Sequence, residues 1–139
     1  MGRFQSTAEH YLAGRPPYPP ALISHVAHRC GLRKTHRILD LGCGPGLLAL
    51  GFSKCVSSVT AIDPEPEMLA VARTTARDQA ARNIEFIEGS ATDIGPSLGA
   101  FRMVTIGRVF HWMDRTDTLA RLDPIIDEGG AITLWGQPP

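Results

Sequence analysis

Two carboxylates and a run of glycines carry the chemistry in this chain. In the stretch Ile38-Leu39-Asp40-Leu41-Gly42-Cys43-Gly44-Pro45-Gly46-Leu47, an apolar, strand-like segment empties into glycines at alternate positions, and a helical run follows from about Leu47. Glycine serves where the backbone needs positive φ or must let a ligand come close. The start of the following helix offers unpaired N–H groups and a positive dipole end to an anionic group. Asp40, two residues ahead of the bend, would repel a pyrophosphate but would accept hydrogen bonds from an ammonium group. A second acid, Asp63, ends the next β-rich run, Ser58-Val59-Thr60-Ala61-Ile62. An acid about 20 residues past such a loop is placed to accept hydrogen bonds from ribose hydroxyls. It would also serve as an Asx turn or cap before Pro64. The pair suits a ligand with a nucleoside at one end and an amino acid at the other.

The dinucleotide fingerprint wants a small residue at its last position, and Leu47 stands there instead. The spacing Gly42-x-Gly44-x-Gly46 behind Asp40 resembles the first motif of the class I S-adenosylmethionine-dependent methyltransferases. Cys43 and Pro45 are the spacers within it, and Cys43 reads as a small filler rather than a reactive thiol. In that resemblance Asp40 and Arg15 bind the methionine end. Gly42, Cys43, Gly44 and Gly46 line the backbone approach to the cofactor, and Asp63 and Pro64 lie at the ribose. Met68, otherwise a core residue, touches the adenine. After the third strand, Ser90, Ala91 and Thr92 match by position the residues that read the adenine edge, with Asp93 as second choice for the side-chain contact.

The elements that must hold these residues alternate strand and helix, which predicts an α/β fold. Ahead of the first strand, residues 4–13 form a candidate helix. Arg15-Pro16-Pro17-Tyr18-Pro19-Pro20 follows as a stiff extended segment, because each proline fixes its own φ and restricts its predecessor. Taken plainly it is a linker. Small-molecule methyltransferases carry a similar Tyr…Arg-Pro-x-Tyr-Pro stretch, and the resemblance makes Tyr11, Arg15 and Tyr18 a lid over the cofactor's amino-acid end. An arginine's planar fork suits a carboxylate.

Residues 21–32 read as an amphipathic helix with Leu22, Ile23, Val26, Ala27 and Cys30 inward and Gly31 at its end. His25 and His28 fall to the surface or rim. Leu47 to Lys54 forms the first crossover helix. Residues 65–82 form the longest, with Met68, Leu69, Ala72, Ala76 and Ala80 as a narrow inward face. Ile84 to Glu88 is the third strand and Phe101 to Gly107 the fourth. Residues 116–126 form a helix with Leu119, Leu122, Ile125 and Ile126 inward, and Asp127 to Gly130 form the turn into the fifth strand, 131–135.

Arg108-Val109-Phe110-His111-Trp112 follows the fourth strand, and ligands of open α/β sheets bind outside the carboxyl ends of strands. His-Trp here recurs in one methyltransferase subgroup. His111 is the candidate general base or substrate positioner. Trp112 and Phe110 would line the pocket or pack the lid, and Arg108 is counted with the cofactor residues. Taken plainly, the aromatics pack and His111 caps the next helix. Arg102 stands where relatives carry an acid, which bears on stability more than catalysis.

The resemblance implies a Rossmann-like three-layer sandwich with parallel order 3-2-1-4-5, lacking the usual sixth and seventh strands. The chain is expected to be a fragment, a naturally short form, or a domain completed by dimerisation through the strand-five edge. At 139 residues it is expected to form one domain, with 1–20 as the lid segment and 21–139 as the cofactor-binding core. Fourteen basic residues balance fourteen acidic ones, which leaves no electrostatic footprint for nucleic acid or an anionic membrane. Three widely spaced cysteines argue against a disulfide framework or a metal site. No leader or membrane-spanning run is read, and the cytoplasm is the default location.

Three functions are weighed. The first is methyl transfer from S-adenosylmethionine to a small-molecule acceptor. The second is a cofactor-binding module without activity. The third is a nicotinamide-dependent oxidoreductase, against which Leu47 and Asp40 speak.

Overall fold

The computed structural model describes residues 18–107 and 114–135. Its strands are β1 (Arg37–Leu41), β2 (Ser58–Asp63), β3 (Ile84–Glu88), β4 (Phe101–Ile106) and β5 (Ile126–Leu134). Its helices are α1 (Pro20–Arg29), α2 (Leu47–Ser53), α3 (Pro66–Asp78) and α4 (Arg115–Leu122). The sheet runs β3-β2-β1-β4-β5, and each neighbouring pair is parallel. The expected Rossmann-like order is thereby found.

Strand alternation divides the core into two layers. Ile38 of β1, Val59 and Ala61 of β2 and Met103 of β4 face one side and pack with Ile23 and Ala27 of α1, Leu48, Ala49 and Phe52 of α2, and Leu69 of α3. Leu39 and Leu41, Ile62, Val104 and Ile106 face the other, with Leu122 of α4, Ile94 and Ile125. The central strand β1 is buried on both faces beyond Arg37, as expected of a parallel sheet covered by helices. Asp40, Asp63 and Thr105 fall in the alternation of the first layer, on the α1–α3 side.

Several boundaries differ from those expected. Helix α1 ends at Arg29, and Gly31, at φ 64°, lets Leu32 N–H reach the Ala27 carbonyl at 2.9 Å. Leu22 is exposed rather than inward. Helix α3 stops at Asp78 because Ala80 turns left-handed, at φ 56°, and Ala81 N–H closes onto the Ala76 carbonyl at 2.8 Å. Ala80 is therefore exposed and outside the inward face. Leu119 is exposed too, and α4 tightens into a 3-10 turn at Asp123–Ile125, where Pro124 cannot continue the helical hydrogen bonding.

β5 begins at Ile126, ahead of the expected turn. Its pairing with β4 is interrupted between Phe101 and Met103, and the glycine pair fills the irregularity. Gly129 takes φ 80°, and a Cβ on Gly130 would lie 2.6 Å from the Arg102 carbonyl oxygen. Arg102 itself donates to the Glu128 carbonyl at 3.4 Å, while its Nε is buried with no hydrogen-bond partner.

Candidate functional site

The bend between β1 and α2 follows from its glycines. Gly42, Gly44 and Gly46 adopt φ of 69°, 54° and 89°, values that cost other residues about 1–2 kcal/mol each. Their purposes differ. A Cβ on Gly46 would meet the Ala72 Cβ at 3.1 Å, so this glycine brings α2 against α3; a Cβ on Gly44 would meet nothing within 4 Å. Gly44 thus faces open space.

The bend's N–H groups are already engaged. Gly42 and Cys43 both donate to the Ile62 carbonyl, at 2.8 and 2.9 Å, and Gly46 donates to the Cys43 carbonyl at 3.0 Å. Gly44 N–H donates to Asp63 Oδ2 at 2.8 Å. These bonds lie within the bend, ahead of the α2 start at Leu47 where the unpaired N–H groups are expected. The bend is clipped to the end of β2 by the bonds to Ile62 and Asp63.

Asp63 is the clip. Its Oδ1 also accepts the Glu65 N–H at 2.9 Å, so the turn-forming and loop-holding roles are both made by one carboxylate. It is buried; desolvation raises its pKa, and the two N–H bonds oppose that rise. Pro64 is exposed beside it, and Met68 is half-buried rather than core.

Asp40 lies on the same face of the sheet, one strand over. It is 1% exposed. Its Oδ1 accepts from the Thr105 hydroxyl at 3.1 Å, while Oδ2 is buried with no hydrogen-bond partner. Burial pushes its pKa up to about 7; the Thr105 hydroxyl and the Ala49 backbone N–H pull it down, and the Asp63 charge raises it again. The Asp63 charge thus reaches Asp40 from the neighbouring strand. Cys43, buried in the bend, is held as a thiol by burial and by Asp40 and Asp63, which fits a filler.

After β3, Ser90 N–H donates to Asp93 Oδ2 at 2.8 Å, and the Ser90 and Thr92 hydroxyls share a hydrogen bond at 2.9 Å. Asp93 is thus tied to its own turn. Ala91 packs on the second layer, and the Thr92 carbonyl accepts from Arg121 at 3.0 Å. Tyr18 stacks edge-on against Trp135, with ring centroids 5.1 Å apart. Tyr11, Arg15, Arg108, Phe110, His111 and Trp112 lie outside the described residues.

Thr105 was not foreseen. Its only sequence signal is a hydroxyl inside the apolar run of β4, and its significance depends on a parallel register that pairs its Cα with that of Asp40. Among the described residues, no group of three or more His, Cys, Asp or Glu is arranged to hold a metal, and no helix is long and apolar enough to cross a membrane.

Comparison with known proteins agrees with this fold. Residues 38–130 match the family described as methyltransferase domain. An uncharacterized methyltransferase of Mycobacterium tuberculosis is 30% identical over 131 residues, covering 94% of this chain and 50% of the relative. A demethylmenaquinone methyltransferase of Lactococcus lactis is 37% identical over 125 residues, covering 81% and 50%. The crystal structure of the Bacillus subtilis YcgJ protein superposes with a TM-score of 0.72 at 25% identity, over 81% of this chain and 48% of that one. The chain spans about half the length of these relatives.

Proposed function

The chain belongs to the class I S-adenosylmethionine-dependent methyltransferases, and from that premise we propose that it binds S-adenosylmethionine and serves methyl transfer to a small-molecule acceptor. One observation carries the cofactor reading: Asp40 Oδ2 is buried without a partner, a costly arrangement in a bare protein. An ammonium group, met directly or through a water, relieves it, and the amino-acid end of the cofactor carries one. The residues present fit the group.

Asp40 binds the amino-acid end, together with Arg15 and Tyr11 from the N-terminal segment. Gly44, with open space beyond it, lets the ligand approach the backbone. Asp63 keeps lone pairs for ribose hydroxyls after accepting two N–H bonds. Ser90, Ala91 and Thr92 take the adenine. When bound, the sulfonium supplies an already activated methyl group, and the protein's task is then chiefly to align donor and acceptor. His111 is the base for an acceptor that must lose a proton, and the family resemblance assigns Trp112 and Phe110 to the acceptor.

Relatives support a choice of acceptor class to test. One of them is named for demethylmenaquinone, so a quinol-like or phenolic small molecule is the first class to test. The test is transfer of labelled methyl from S-adenosylmethionine to a panel of such acceptors. Label in an acceptor supports the reading; cofactor binding without transfer to any member assigns the chain as a binding module instead.

A further inference from the structure

We propose that Thr105 is a positioning residue for the cofactor's amino-acid end: its hydroxyl holds one oxygen of Asp40 so that the other is presented, without a hydrogen-bond partner, to the ammonium group. The inference rests on the methyl-donor reading above. Thr105 and Asp40 are Cα partners in the β1–β4 ladder. Thr105 is fully buried, between Val104 and Ile106 in a strand that is otherwise largely apolar.

A valine would fill that position without a polar atom to satisfy. The hydroxyl is satisfied instead by Asp40 Oδ1 at 3.1 Å, with the Leu39 carbonyl at 3.5 Å as the weaker alternative. A hydroxyl has one proton to donate, and giving it to Oδ1 fixes the carboxylate rotamer. Oδ2 is then left without any partner in a buried setting.

The same bond acts on charge. Donation to a carboxylate favours its ionised form. Here it works against burial and against the neighbouring Asp63, and with the Ala49 N–H. Burial, then Asp40 and Asp63, raise the pKa of Cys43 in the bend against an opposing effect of Arg73 on α3, and it remains a thiol. Thr105 therefore helps to keep Asp40 ionised near neutrality, where an ammonium ligand needs an anion.

The test compares Thr105→Val, Thr105→Ala and Thr105→Ser with wild type in the full chain. Carboxyl NMR follows the titration of Asp40 without ligand, and calorimetry follows S-adenosylhomocysteine binding across pH. In the Val and Ala variants the Asp40 midpoint is expected to rise. Affinity at neutral pH is expected to fall about tenfold, the size of one lost hydrogen bond to a charged group. The gap should narrow above the new midpoint, and Ser should restore both properties. The proposal is overturned if the midpoint stays at its wild-type position in both Val and Ala, or if affinity falls equally at every pH and Ser does not restore it. Absence of binding by wild type overturns the methyl-donor reading itself, while the carboxyl titration still decides whether Thr105 controls Asp40.

Discussion

The Asp63 carboxylate and the Gly44 N–H meet at 2.8 Å, and this bond joins the end of β2 to the glycine bend behind β1. With the Glu65 N–H on its other oxygen, Asp63 satisfies two backbone donors that would otherwise be left unpaired. Asn at this position offers one acceptor oxygen for two donors. Asp63→Asn is expected to lower stability by about 1–3 kcal/mol, measured by urea denaturation, and to weaken nucleoside binding. A variant as stable as wild type would show that the clip contributes nothing.

Asp40 makes stability depend on pH. Its pKa is about 7 in the native state against a reference of 3.8, so between those values the folded protein binds more protons than the unfolded chain. Stability is therefore fullest at the acid end of this window and falls as pH rises from about 4 to about 7, with a ceiling of about 4 kcal/mol. Asp63, also shifted upward, acts in the same direction. Asp40→Asn removes the larger contribution: it should nearly match wild type at the acid end of this window, near pH 4, and exceed it increasingly up to about pH 8, while losing cofactor affinity. Denaturation at the two pH values reads this directly, and a pH-independent difference would contradict it.

Gly44 and Gly46 should respond differently to the same substitution. Both have positive φ, so alanine costs each about 1 kcal/mol or more. Gly46→Ala adds the 3.1 Å approach to Ala72 and should be the less stable variant. Gly44→Ala puts its methyl group into open space and should lose more affinity than stability. Thermal melts paired with calorimetry separate the two, and equal behaviour would deny them distinct roles.

Ala80 closes α3 in a left-handed conformation, where glycine is the favoured residue. Ala80→Gly is expected to raise stability by about 1 kcal/mol. An unchanged or lowered melting temperature would contradict the observed helix end.

Much of this architecture is legible in local pattern. The apolar run into Gly42, Gly44 and Gly46 announces β1, its bend and α2, because positive φ and close helix contact both demand glycine there. The β-rich run into Asp63 locates the second acid. The helix ends were harder to read: Ala80 looks like part of an inward face, and only the left-handed turn expels it. Leu22 and Leu119 fit the helical spacing but are exposed, which spacing alone does not reveal. The role of Thr105 depends on strand register, a long-range property that no local spacing encodes. The engagement of the bend's own N–H groups by Ile62 and Asp63 is likewise a tertiary fact.

The central claim is that the bend between Asp40 and Asp63 receives a nucleoside-bearing amino acid. Its most direct test is calorimetric titration of the chain with S-adenosylhomocysteine and, separately, with NAD. Saturable binding of S-adenosylhomocysteine, weakened in Asp40→Asn and absent for NAD, is the predicted result. Preference for NAD, or heat from neither ligand, would contradict the account.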